Sequence, residues 1–176
     1  MFPLTFRRWL PDLCYKTVFD IPWQRLKADG TRAVLFDLDN TLGVWGTAQL
    51  DDGVLALLRR LQGAGLVLGV LSNSRLRGRQ PALRAQLEPL SIPLVGSANK
   101  PAASGYVRVL EQLEVRATES VMVGDQWVTD VLGAKRLGMG AIWVEPFEWG
   151  SQPWWSKIRQ HAERWTLRRC GPKATF

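Results

Sequence analysis

The chain has 176 residues, of which 46% are hydrophobic, with two cysteines, one histidine and a formal net charge of +7. That length suits one domain with a core of its own. Two cysteines at opposite ends, Cys14 and Cys170, exclude a disulfide framework, a zinc ribbon and a redox CxxC pair, and make a reduced, cytosolic setting the default. A lone His161 excludes zinc sites built on several histidines, so any chemistry must lean on carboxylates, hydroxyls and lysine. The charge is segregated: residues 1–32 hold six basic and three acidic side chains, residues 33–153 eleven and twelve, and residues 154–176 six and one.

In chain order, Arg7 and Arg8 are followed by Pro11 and Asp12, which interrupt any apolar run, so neither a signal peptide nor a spanning helix is expected. From residue 33 onward, short apolar runs alternate with stretches of helical period, the pattern of βαβ units and a parallel sheet. Five strands are expected, at Ala33–Phe36, Leu66–Leu71, Leu94–Val95, Val121–Val123 and Ala141–Val144, each near-continuously apolar as a strand covered on both faces should be. Helices are expected at about 51–63, with Val54, Leu57, Leu58 and Leu61 on one face, and at about 79–88, 101–113 and 128–137. Pro101 suits the first helical position of the third. The whole chain reads as one α/β domain with a core at about 33–144 and flanks at 1–32 and 150–176.

Doubly wound sheets bind ligands beyond the carboxyl ends of their strands. The first strand runs there into Asp37-Leu38-Asp39-Asn40-Thr41, the second into Ser72-Asn73 and the fourth into Gly124-Asp125, with Asp130 five residues on; Lys100-Pro101 opens the third helical segment. Singly, each of these reads as a cap, a turn or a solvated charge. Together they supply what a phosphomonoesterase without histidine or cysteine needs. A carboxylate can attack phosphorus and split hydrolysis into two steps through an aspartyl-phosphate. A neighbouring carboxylate can move the proton. A hard cation on carboxylates and one lysine can neutralise the charge, and Mg²⁺ is the natural choice. Asp37 is therefore the candidate nucleophile and Asp39 the candidate general acid/base.

These four segments resemble the motifs of the haloacid dehalogenase superfamily, in order, over about residues 33–144. The resemblance implies a three-layer Rossmann-like fold with a five-stranded parallel sheet. It also implies that Asp37 ligates Mg²⁺ by its side chain, Asp39 by its backbone carbonyl and Asp125 by its carboxylate. Thr41, Ser72, Asn73 and Lys100 would meet the phosphoryl group, and Asp130 would orient its neighbours. Only 32 residues separate Asp39 from Ser72 and 27 separate Ser72 from Lys100, each gap filled by one βα unit, so no cap domain is expected. More narrowly, Leu10-Pro11-Asp12, Phe19-Asp20-Ile21 and the run Gly124 to Gly133 are similar to the small subfamily IIIA, YqeG-like phosphatases, which are in turn similar to phosphatidylglycerophosphate phosphatases. Ser74 and Asn99 depart from residues common in those relatives.

Five of the nine tryptophans lie in the flanks, Trp9, Trp23, Trp154, Trp155 and Trp165, among arginines and lysines. If residues 153–169 are helical, Trp155, Ile158, Ala162 and Trp165 share a stripe suited to an anionic membrane surface. The expectation is helical flanks on a cytoplasmic protein resting peripherally on the inner membrane face, with an anionic phospholipid as phosphorylated substrate. Packing of the stripe on the domain is the plainer alternative, and nucleic acid the weaker partner. A nucleic-acid end, a phosphoprotein or a sugar phosphate as substrate, and a non-catalytic binding module on the same fold, also stay open. Nothing in the sequence specifies an oligomeric state.

Overall fold

A computed structural model describes residues 8–147. The expected interfacial helix at 153–169 lies outside the described residues. The elements are β1 (Leu13–Tyr15), α1 (Trp23–Ala28), β2 (Ala33–Asp37), α2 (Asp52–Gly63), β3 (Val67–Leu71), α3 (Gln80–Leu87), β4 (Leu94–Val95), α4 (Ala103–Gln112), β5 (Ser120–Gly124), α5 (Leu132–Arg136) and β6 (Gly140–Val144). The six strands form one sheet in the order β1-β6-β5-β2-β3-β4, and every pairing is parallel.

Alternation along each strand divides the core between the two faces of the sheet. Val34, Phe36, Val121, Val123, Ile142 and Val144 pack with Leu57, Leu58 and Leu61 of α2 and Leu83 and Leu87 of α3. Their neighbours Ala33, Leu35, Met122, Ala141 and Trp143 pack on the opposite face with Tyr106, Val109 and Leu110 of α4 and Ala134 of α5. The result is the three-layer, Rossmann-like arrangement, with both faces of the sheet covered.

The sheet has six strands rather than five. The sixth, β1, lies in the flank expected to be helical, which contributes only the short α1 of that kind. Its three residues are half-buried at the sheet edge and carry no alternation that sequence could reveal. Asp12 fastens it: its backbone N–H donates to the Ala141 carbonyl and its carboxylate accepts from the Ala141 N–H, both at 2.8 Å, and also pairs with Lys135.

Two helix starts also differ. Pro101 does not open α4, which begins at Ala103 with Ala102 as its N-cap in extended backbone; the Lys100–Pro101 bond is cis. Ahead of α5 the chain winds into a π-helical turn, Trp127–Val131, in place of the regular helix expected from 128. Such turns widen the backbone by one residue and recur at functional sites. α2 starts where Asp51 caps it, its carboxylate accepting from the Val54 N–H at 2.8 Å.

Candidate functional site

Because the strands are parallel, the residues that follow β2, β3 and β5 meet at one edge of the sheet. Asp37 is the last residue of β2 and continues the register of Ala33 and Leu35, so it falls on the side of α4 and α5. There Lys100, ahead of α4, donates from Nζ to Asp37 Oδ1 at 2.5 Å and to Asp130 Oδ1 at 2.7 Å. All three side chains are buried, that of Lys100 being only 2% exposed. Asp125, at the end of β5, is buried too, and oxygens of Asp37, Asp125 and Asp130 lie within 4.8 Å of one another.

Each member is held from behind. Asn73 clamps the backbone of Lys100, its amide donating to the Lys100 carbonyl at 2.9 Å and accepting from the Lys100 N–H at 2.7 Å. The π-helical turn aims Asp130, whose Oδ2 accepts from the Gln126 N–H at 3.0 Å. Tyr106, fully buried in α4, donates its hydroxyl to the Thr129 carbonyl at 2.5 Å and so braces the same turn. Trp143 Nε1 donates to the Asp125 carbonyl at 2.7 Å. Gly124 has no room for a side chain, since a Cβ there would meet Asp130 Oδ2 at 2.3 Å.

Burial pushes the Asp37 carboxyl up to about 7, against the pull of Lys100 and with the help of Asp130's charge. Burial also disfavours a charged Lys100, but Asp130 and Asp37 outweigh it and raise its pKa, so the ammonium stays charged.

Asp39 takes different partners. Arg79, the residue before α3, forks its carboxylate, with Nη1 to Oδ1 at 2.6 Å and Nη2 to Oδ2 at 2.9 Å. The Gly46 N–H adds a bond to Oδ1 at 2.9 Å and the Ser72 hydroxyl one to Oδ2 at 3.0 Å. Burial works to raise the Asp39 carboxyl, yet the fork and the Gly46 N–H win and hold it below the usual carboxylate range. Asn40 and Thr41, the two residues after Asp39, are buried. Among the described residues the Thr41 hydroxyl and both polar atoms of the Asn40 amide have no hydrogen-bond partner, and Asn40 adopts a left-handed backbone, φ 68°.

The structure thus gathers Asp37, Lys100, Asp125 and Asp130 into one buried cluster, with Asn73 bracing it. Asp39 and Ser72 form an adjoining pair, with Thr41 close by in sequence. The sequence reading missed Arg79 and Asn40. Arg79 is one of three arginines in the loop after β3, with Arg75 and Arg77 exposed, and no periodicity marks which of them turns inward. For Asn40, the readable signal was an asparagine inside a tight turn, where a left-handed backbone is favoured.

The donor set suits a small hard cation. Among the described residues, the buried carboxylates of Asp37, Asp125 and Asp130 come together in a dry setting, and Asp37 Oδ2 is buried without a hydrogen-bond partner. Asp37 and Asp125 would hold such an ion, while Asp130 is occupied by Lys100 and the Gln126 N–H. Asp39's carboxylate is not in that cluster.

Among known proteins, the family described as haloacid dehalogenase-like hydrolase matches residues 22–138. The chain is 31% identical over 138 residues to the probable phosphatase YqeG of Bacillus subtilis (strain 168), covering 78% of each chain. It is 29% identical over 167 residues to the chloroplastic phosphatidylglycerophosphate phosphatase 1 of Chlamydomonas reinhardtii, covering 89% of this chain and 62% of that one. Among solved structures, an uncharacterized protein from Corynebacterium glutamicum superposes with a TM-score of 0.55 at 17% identity, covering 84% of this chain and 100% of that one, a likeness of fold. With the motif residues gathered at one edge of a parallel sheet, the chain belongs to the haloacid dehalogenase-like hydrolases, in the capless, YqeG-like group, and is a phosphoric monoester hydrolase.

Proposed function

We propose that the chain is a magnesium-dependent phosphatase that works through an aspartyl-phosphate on Asp37 and dephosphorylates phosphatidylglycerophosphate at a membrane surface. The observation that carries the chemistry is the buried Asp37, with Oδ1 held by Lys100 and Oδ2 unpartnered. In the first half-reaction an Asp37 oxygen bonds to phosphorus, the ester P–O bond breaks, and the departing oxygen takes the proton of the Asp39 carboxyl. In the second, water bonds to phosphorus and gives its proton to the Asp39 carboxylate, while the bond from phosphorus to Asp37 breaks and releases inorganic phosphate. The charged form of Asp39 that Arg79 favours is the form this second step uses. Asp37 and Asp125, with the Asp39 backbone carbonyl, would hold a magnesium ion, which would supply charge neutralisation for the phosphoryl oxygens. Lys100 adds a fixed positive charge, the Thr41 and Ser72 hydroxyls donate to phosphoryl oxygens, Asn73 fixes the Lys100 backbone, and Asp130 holds the Lys100 ammonium in place.

The lipid substrate is supported by the likeness to the Chlamydomonas phosphatidylglycerophosphate phosphatase and by two features of this chain. The lengths between the motifs leave the site without an inserted cap, so a headgroup fixed in a bilayer can approach. The basic, tryptophan-rich flanks suit an anionic interface. No described helix is long and apolar enough to cross a membrane. The 176 residues are read as one phosphatase domain, flanks included.

The test is phosphate release from phosphatidylglycerophosphate in mixed micelles, with and without Mg²⁺, comparing the native chain with Asp37→Asn and running p-nitrophenyl phosphate alongside. Metal-dependent release from the lipid, lost in the variant, is expected. Turnover of the aryl phosphate with the lipid untouched would overturn the lipid assignment and leave the chemistry standing. Release from the lipid by Asp37→Asn at the native rate would overturn the nucleophile.

A further inference from the structure

Asp39 is saturated. A carboxylate offers about four lone-pair sites, and here four donors take them: both Arg79 nitrogens, the Gly46 N–H and the Ser72 hydroxyl. For Asp39 to exchange a proton with a substrate oxygen, one of the four must let go. The Ser72 hydroxyl is a single-bond rotor and can turn from Oδ2 to a phosphoryl oxygen. The Gly46 N–H is fixed in a turn at φ 84°, and the guanidinium is anchored a third time, Nη1 donating to the Thr47 carbonyl at 3.1 Å.

The anchoring extends along α3. About two turns beyond Arg79, Gln86 accepts from the Leu50 N–H at 2.8 Å and donates to the Leu50 carbonyl at 3.0 Å. The loop from 43 to 50, which has no cap domain to hold it, is therefore fastened to α3 at two points, and the Arg79 point is also the fork on Asp39. Arg79 and Asp39 are only 11% and 12% exposed, so the pair is shielded from the screening that weakens surface bridges.

We propose that Arg79 is the positioning residue for proton transfer by Asp39: its planar fork holds the carboxyl plane while Ser72 swings away, leaving Oδ2 aimed at the leaving oxygen. The inference rests on the reading of Asp39 as the general acid. In the step it serves, the P–O ester bond breaks, its electron pair stays on the leaving oxygen, and that oxygen takes the Asp39 proton. Arg79 acts on the substrate only through Asp39, whose Oδ2 accepts from its Nη2.

General acid help matters more as the leaving oxygen becomes more basic, so a substrate series separates this role from plain stabilisation. The experiment measures kcat/KM, which reports the steps through the first phosphoryl transfer, for p-nitrophenyl phosphate, phenyl phosphate and intermediate aryl phosphates, using the native chain, Asp39→Asn, Arg79→Gln and Arg79→Lys. Asp39→Asn is expected to steepen the loss toward phenyl phosphate. Arg79→Gln should do the same, losing about 10–100-fold more on phenyl than on p-nitrophenyl phosphate. Arg79→Lys, which keeps the charge and loses the fork, should fall between native and Arg79→Gln, and carries the test alone if the glutamine variant does not fold. Equal losses on all substrates, or no loss, in the Arg79 variants while Asp39→Asn steepens the series would overturn the proposal. No steepening in Asp39→Asn would instead overturn the reading of Asp39 on which it rests.

Discussion

Replacing Lys100 with methionine keeps the length of the side chain and removes the positive charge that pairs with Asp37 and Asp130. The ammonium sits 2.5 Å from Asp37 and 2.7 Å from Asp130, and none of the three side chains is more than 8% exposed. Breaking a buried pair by deleting one partner costs about 3–5 kcal/mol, because the other charge is left uncompensated in a dry setting. Here two carboxylates are left, beside a third on Asp125. For a chain of this size each kcal/mol moves Tm by about 2–4 °C, so Lys100→Met should melt about 6–20 °C below the native chain. The measurement is thermal and urea unfolding followed by circular dichroism, in EDTA so that no cation substitutes for the lysine. Adding Asp37→Asn removes one of the stranded charges, so the double variant should be more stable than the sum of the two single losses predicts, by at least about 1 kcal/mol. A loss below about 1 kcal/mol for Lys100→Met, or strict additivity with Asp37→Asn, would refute a charged, buried cluster.

Other consequences are as concrete. Gly124→Ala drives a Cβ to 2.3 Å from Asp130 Oδ2; it should cost about 1–3 kcal/mol by overpacking and at least about tenfold in kcat, read by urea melts and a phosphate-release assay. Tyr106→Phe removes the hydroxyl bond to the Thr129 carbonyl, and should cost about 1 kcal/mol in a denaturant melt. Burial pushes the Cys14 thiol up to about 12, so in a Cys170→Ser background iodoacetamide at pH 8 should alkylate Cys14 far more slowly in the folded chain than in urea. The same shift carries a sign. The thiol stays protonated in the folded state after it ionises in the unfolded one, so its contribution to stability is complete below about 9 and is lost as pH rises from there toward 12. Urea midpoints of Cys14→Ala, compared with its parent across that range, check this.

What the sequence carries is the part that repeats along the chain. Apolar runs at strand length and helical stripes such as Val54, Leu57, Leu58 and Leu61 place β2 to β6 and α2 within a residue or two, because burial on both sheet faces writes itself into every position. The strand-end residues Asp37, Lys100, Asp125 and Asp130 could be gathered from topology alone, since parallel strands bring their carboxyl ends to one edge. What escapes is set by single contacts. β1 is three residues long and is held by the Asp12 carboxylate rather than by a pattern. α4 starts two residues after Pro101, where Ala102 rather than a capping side chain precedes it, and the π-helical turn takes one extra residue ahead of α5. Arg79 reaches Asp39 across 40 positions of sequence, and neighbouring Arg75 and Arg77 offer the same chemistry to any reader of the sequence.

In the proposed chemistry phosphorus becomes bonded to Asp37. Acid-quenching the enzyme during steady turnover of p-nitrophenyl phosphate with Mg²⁺, reducing with borohydride and sequencing peptides by mass spectrometry tests it directly, since an acyl phosphate is reduced to homoserine while a free aspartate is not. Homoserine is expected at position 37 in the native chain and not in Asp37→Asn. Homoserine at another aspartate, or sustained turnover without any acyl phosphate at 37, would contradict it.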